Sequence, residues 1–248
     1  MDIIRYKYFF LGLSGLLIIA SVLAVSVFGL RQGIDFVGGS LWQISYSVGE
    51  DNQGLQELKK IMPKEVVINP SSDMSTYLIR LPEISEEEHQ KYLKQLNEKG
   101  FQELSFESIG SAIGSELRTK SIWAFVVVLL TISLYIAFAF RKVSRPVSSW
   151  KYGIITLLTL FHDAVIPVGL FAVLGYFYGA EVGTNFIVAV LVVMGFSVHD
   201  TIVVFDRIRE NLRLEGSNNF VFSNIVNKSI NQTFARSINT SLTLVLVL

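Results

Sequence analysis

The chain has 248 residues, is 51% hydrophobic and 17% charged, and has a mean hydropathy of +0.48, whereas ordinary soluble domains carry about 25% charged residues. Its 21 acidic and 21 basic residues cancel, so neither a basic excess for nucleic acid nor the acidic excess of a disordered chain is present. Cysteine is absent and His89, His162 and His199 have no HExxH or similar spacing, which argues against a disulfide framework, a thiolate site, a cysteine nucleophile and a bound metal.

Tyr8 to Leu30 is an uncharged run of 23 residues, long enough to cross about 30 Å of hydrocarbon. It exceeds the roughly 7 to 15 apolar residues of a signal peptide, and Gly29-Leu30-Arg31 is no small-residue cleavage site, so residues 1–30 read as an N-terminal anchor. Gly33-Ile-Asp-Phe-Val-Gly38-Gly39 follows. It lacks the lysine of a phosphate loop and precedes a strand, so its glycines are expected to let the chain turn tightly into the next domain.

Residues 31–120 read as one water-exposed α+β domain. Ser40 to Val48 alternates as a strand, and Leu55, Leu58, Ile61 and Met62 then form a helical stripe closed by Pro63. Val66 to Ile68 and Thr76 to Leu81 are two more strands around a Pro70-Ser-Ser-Asp73 turn. Ser85 with Glu88 predicts a capping box, Tyr92, Leu93 and Leu96 supply the stripe, and Gly100 ends that helix. Phe101 to Ile109 closes the domain, giving the βαββαβ order of a ferredoxin-like split βαβ unit. Neither paired catalytic acids nor a Ser/His/Asp grouping occurs in it, so a binding or mechanical module is expected and not an enzyme.

Residues 121–248 hold four more apolar runs, at 121–140, 153–180, 182–205 and 229–248, which makes five spans in all. Lysine and arginine in short loops favour the cytoplasmic side. They gather before the first span (Arg5, Lys7), between the second and third (Arg141, Lys142, Arg145, Lys151), and between the fourth and fifth (Arg207, Arg209, Arg213, Lys228). The N-terminus is therefore expected inside and residues 31–120 outside. The apolar run 240–248 continues to the last residue without a flanking charge, so a sixth span is expected beyond it.

Ionisable residues within spans cost about 2.5–3.5 kcal/mol on insertion scales and mark functional sites by default. Asp200 lies roughly 9 Å into the fourth span from its cytoplasmic end, and Arg236 lies about as deep in the fifth. An Asp200–Arg236 pair would share the burial cost. Ser197, at i−3 from Asp200, and Thr201, four residues after Ser197, form a polar patch beside it; Ser229, Gln232, Thr233, Asn239, Thr240 and Thr243 line the face of Arg236. Asp163 falls near the midplane of the third span, and Pro167 removes the hydrogen bond its carbonyl would accept. The bland readings are equally physical. An Asp–Arg pair can merely lock two helices, Asp163 can cap a proline kink, and Asp206 to Arg213 reads as a solvated helix end. His162 and His199 could shuttle protons, although His199 points about 100° away from Asp200 on a helix.

Three stretches taken together carry a family resemblance. Gly33-Ile-Asp-Phe-Val-Gly-Gly-Ser40, Asp200-Thr-Ile-Val-Val-Phe-Asp-Arg-Ile-Arg-Glu210 and Asn231-Gln-Thr-Phe-Ala-Arg236-Ser-Ile-Asn-Thr-Ser241 resemble the F-type subunits of the bacterial SecD/SecF protein-export family, over the whole chain and in the same order. The resemblance implies a six-span half of a resistance-nodulation-division (RND) type transporter in the cytoplasmic (inner) membrane. It also implies a SecD partner, the SecYEG channel, YajC or YidC, and preproteins delivered by the ATPase SecA. It implies further that the proton gradient drives the work and that Asp200 and Arg236 take part in proton conduction, with no cofactor. His199 departs from the asparagine often found there.

On this reading protonation of Asp200 loosens its pairing with Arg236 and the shift passes through the first span to residues 33–39. Asp163 is the third relay candidate. The residues alone do not choose between a proton and a sodium ion. Two alternatives stand beside it: a proton-coupled RND-type exporter of lipids or small molecules, and a passive scaffold subunit.

Overall fold

A computed structural model describes residues 2–46, 51–63, 66–71, 75–141, 148–214 and 221–247. The chain divides into two compact units, Gln32–Ser121 and, together, Met1–Arg31 with Ile122–Leu248.

The first unit holds a four-stranded sheet. A short helical turn, α2 (Ile34–Val37), leads into β1 (Gly39–Tyr46), α3 (Asp51–Ile61), β2 (Val67–Pro70), β3 (Thr76–Leu81), α4 (Glu86–Glu98) and β4 (Phe101–Ile109). The sheet order is β2-β3-β1-β4 with every pair antiparallel, so β3 splits the β1-α3-β2 unit as the sequence implies. Alternation on β1 and β3 buries Trp42, Ile44, Tyr77, Ile79 and Leu81, and the helical stripes add Leu58, Met62 and Leu96 to the same core. The capping box forms, with Glu88 N donating to Ser85 Oγ (3.3 Å) and Ser85 N donating to Glu88 Oε2 (3.1 Å). Pro70 ends β2 instead of opening the turn, and part of that turn, like Ser47 and Val48, lies outside the described residues.

Two features of this unit differ from expectation. The glycine-bounded segment 33–39 is a turn of helix, not a bare turn, and Gly38 and Gly39 leave it with φ of 77° and 115°. A Cβ on Gly38 would lie 2.6 Å from Ser111 Cα, and one on Gly114 would lie 2.9 Å from Gly38 N. These glycines let two backbones touch. The helix α5 (Ser111–Ala139) also begins ten residues before the apolar run expected at 121, with its first amide donating to Glu83 Oε2 (3.4 Å). A carboxylate at a helix N-terminus opposes the macrodipole favourably, and that partner is remote in sequence.

The second unit contains a 3-10 turn (Ile4–Tyr6), α1 (Lys7–Phe28), the rest of α5, α6 (Ser149–Tyr178), α7 (Thr184–Leu214) and α8 (Phe222–Val247). Among the described residues four helices, α1, α5, α6 and α7, are long and apolar enough to cross a membrane. The fifth expected span is a 26-residue helix, α8, long enough to cross, but Asn231, Gln232, Arg236 and Asn239 keep it out of that apolar set. Ser21 is the only residue of α1 that is buried, while Phe9 and Ile19 remain 65% and 62% exposed, as lipid-facing side chains must. Residues Ile136, Phe140, Tyr152, Leu160, Ala164, Val190, Met194 and Val198 form the core between α5, α6 and α7. α1 packs on α6 where Gly169 faces Ser21 so closely that any Cβ would collide with it. Small residues are how helices approach where lipid removes the hydrophobic drive between them.

α7 runs nine residues past Phe205. Its end carries Arg207–Glu210 (2.8 Å) and Arg209–Asp206 ion pairs, with Asp206 and Glu210 exposed and the two arginines half-buried.

Replacing Gly38 with alanine forces a left-handed φ on a Cβ-bearing residue against the backbone of Ser111. We expect a loss of about 1–3 kcal/mol, read as increased protease cleavage within residues 32–121 of the membrane-reconstituted protein.

Candidate functional site

The 3.6-residue period places Asp163 and Pro167 on one face of α6, and Ser197, Asp200, Thr201 and Val204 on one face of α7. These faces meet. Ser197 on α7 donates its hydroxyl to Asp163 Oδ2 on α6, while His162 Nδ1 lies 2.8 Å from Asp163 Oδ1. With Asp163 ionised that second contact requires His162 in its Nδ1–H tautomer. Both carboxylate oxygens of Asp163 are thereby satisfied, and Thr201 steadies the arrangement by donating to the Ser197 carbonyl (3.0 Å).

Asp200 differs. Its Oδ1 is enclosed without a hydrogen-bond partner, as is His162 Nε2. Asp163, His162, Ser197, Asp200 and Thr201 all line one cavity of about 1110 Å³, whose remaining wall comes from α1, from apolar residues of α6 and α7, and from Thr240, Ser241 and Leu244 of α8. The structure therefore gathers two of the three candidate relay residues, Asp163 and Asp200, around shared space.

Arg236 is not brought into that group. Its side chain is exposed, it does not line the cavity, and among the described residues no ion pair within 4.0 Å joins it to Asp200. The Asp200–Arg236 pair expected from equal depth in consecutive helices is thus not formed, because equal depth does not fix which way each helix face points. His199 is exposed on a neighbouring face of α7, beside a smaller recess that shares Phe196 and Thr240 with the cavity. This agrees with its 100° offset from Asp200.

Two asparagines that the sequence reading passed over tie the helices together. Asn211, 2% exposed, donates from Nδ2 to Ser229 Oγ (2.8 Å) and to Gln232 Oε1 (2.9 Å), which pins the end of α7 to the start of α8. It lies at i+11 from Asp200, on the same helical face, and that spacing was a legible signal. Asn227 of α8 accepts from the backbone N–H groups of Ile3 (2.8 Å) and Ile4 (3.4 Å), holding the N-terminal turn that precedes α1. A cap bonded from so far along the chain leaves no local pattern.

Long apolar helices carrying half-buried carboxylates, together with a small antiparallel split βαβ sheet, define an RND-like membrane protein with a sheet domain. Residues 88–248 match the family described as protein export membrane protein SecD/SecF, C-terminal, and residues 23–48 match the SecD/SecF GG motif, which contains Gly38-Gly39. The chain belongs to the SecD/SecF protein-export family, as a SecF-type translocase subunit.

Its relatives agree over nearly its whole length. It is 42% identical over 266 residues to the protein translocase subunit SecF of Thermobaculum terrenum, covering 100% of this chain and 81% of that protein. It is 32% identical to that of Anaerolinea thermophila, covering 98% and 79%. The crystal structure of SecDF from Thermus thermophilus superposes with a TM-score of 0.80 at 31% identity, over 98% of this chain and 32% of that one. A SecDF structure in a super-membrane-facing form gives a TM-score of 0.64 at 32% identity, over 98% and 32%.

Truncating Asn211 to alanine leaves the Ser229 and Gln232 oxygens without their buried donor. The expected cost is about 1–3 kcal/mol, measured as a lower midpoint of SDS-induced unfolding in mixed micelles, with Asn211→Leu no better because it restores volume without the donors.

Proposed function

We propose that this subunit converts the proton motive force into preprotein movement through SecYEG and release on the outer side, without an enzymatic step or cofactor. It works paired with SecD in the bacterial cytoplasmic membrane, N-terminus inside and sheet domain outside, with YajC or YidC as further neighbours and SecA acting upstream. Pairing with SecD is supported by the fused SecDF relative, of which this chain covers only 31%.

The observation that carries the reading is the shared cavity, in which Asp163 has two donors and Asp200 Oδ1 has none. Asp200 is the group with room to take a proton. Asp163, held by His162 and Ser197, is the fixed charge beside it. Each proton that crosses supplies about 2.3 kcal/mol per 100 mV, and a proton on Asp200 removes the repulsion between two carboxylates facing one low-dielectric space. Arg236 acts in another state, reached when α8 turns its exposed face towards α7. Asn211 carries a shift of α7 to α8, and Asn227 carries a shift of α8 to the start of α1, which leads in sequence to the sheet domain.

The test is Asp200→Asn in cells lacking the native subunit. A fall of about 10²-fold in proton-driven preprotein release is expected if the residue is an essential proton carrier, with release driven by SecA alone unaffected. Full release together with full proton flux would sink the reading.

A further inference from the structure

The cavity between α1, α6, α7 and α8 has a composition beyond what proton transfer needs. Its volume of about 1110 Å³ matches or exceeds the roughly 300–1,000 Å³ of sites that enclose drug-sized ligands. Most of its lining is apolar, including Leu11, Ile155 and Leu158. Two carboxylates face it, and among the described residues neither lysine nor arginine lines it.

Charge and shape together specify a ligand class. His162 is the one basic side chain among the lining residues and is taken up by Asp163, so two acids in a largely apolar wall favour a positive guest over an anion of the same shape. A small metal ion does not suit the wall, since it must exchange its water for a shell of oxygen donors, and no cluster of three His, Cys, Asp or Glu occurs among the described residues. A cation whose charge is spread through an apolar body loses little hydration on entering and covers the hydrocarbon lining as well. We propose that this cavity is a binding site for a lipophilic organic cation, its positive centre between Asp163 and Asp200 and its apolar groups against α1 and α6. Such a guest would block proton uptake by Asp200; that consequence rests on the proposed function, whereas the binding does not.

Gly15 supplies an independent handle. It lines the cavity, and a Cβ placed on it meets no heavy atom within 4 Å, so a larger side chain there grows into empty space.

The test uses the full-length subunit purified with its membrane partners in lipid nanodiscs, and equilibrium dialysis of radiolabelled tetraphenylphosphonium, with empty nanodiscs as the baseline. Saturable binding above that baseline is expected. The Asp163→Asn, Asp200→Asn double variant and the cavity-filling Gly15→Phe variant should each weaken it at least about tenfold. Tetraphenylborate, of the same shape and opposite charge, should show no saturable binding in a separate dialysis. Variants are compared only after co-purifying with their partners at wild-type yield, and Gly15→Phe keeps the test decisive should the acid variants fail to assemble. Three results would overturn the proposal: no saturable component in the complex, as when a neighbouring helix fills the cavity; unchanged affinity in folded double variant; or equal uptake of tetraphenylborate. Because dialysis measures no proton flux, a failed proton mechanism would leave its outcome untouched.

Discussion

A carboxylate in a spanning helix is costly unless donors of the protein itself meet it. Asp163 finds one beside it on α6, His162, and one across the interface on α7, Ser197. This contact fixes which faces of α6 and α7 meet, and so sets Asp200 against the same cavity. The apolar contacts of Leu160, Ala164, Met194 and Val198 extend along the seam that the polar contact registers. Non-directional apolar packing alone would tolerate rotation of either helix; the hydrogen bonds do not.

The polar seam continues beyond the cavity. Asn211, Ser229 and Thr233 are all buried, and each finds a partner. Two distinct kinds of polar contact therefore hold α7: one joins it to α6 around an ionisable group, the other joins it to α8 through neutral amide and hydroxyl groups. Only the first can respond to a change of protonation. The neutral contact is suited to carrying movement without itself switching.

How much of this was legible in the sequence depends on the range of the interaction involved. The sheet domain was readable almost element by element because strand alternation, the Ser85–Glu88 box and Gly100 act within a few residues. Helix ends were less so: α5 starts at Ser111 because Glu83 receives its first amide, a contact spanning 28 residues. Candidate residues were found from the cost of charge in a span, which is a local property. Their partners were not, because helix rotation is set by side chains on other helices, and so the sequence paired Asp200 with Arg236 where the fold groups it with Asp163. The family resemblance bridged that gap for identity, but not for geometry.

The contact of Ser21 with Gly169 gives α1 a mechanical character. Gly169 of α6 lets the backbone of Ser21 come close, and Ser21 stands fourteen residues after Lys7 but only seven before Phe28. At 1.5 Å per residue the two arms are roughly 21 Å and 10 Å. A rigid rod rocking about that fulcrum moves its short end half as far as its long end and with twice the force. Along α1 only Ser21 is buried, although the helix packs on α6. An off-centre contact of this kind would give any rocking of α1 about Ser21 a two-to-one ratio of arm lengths.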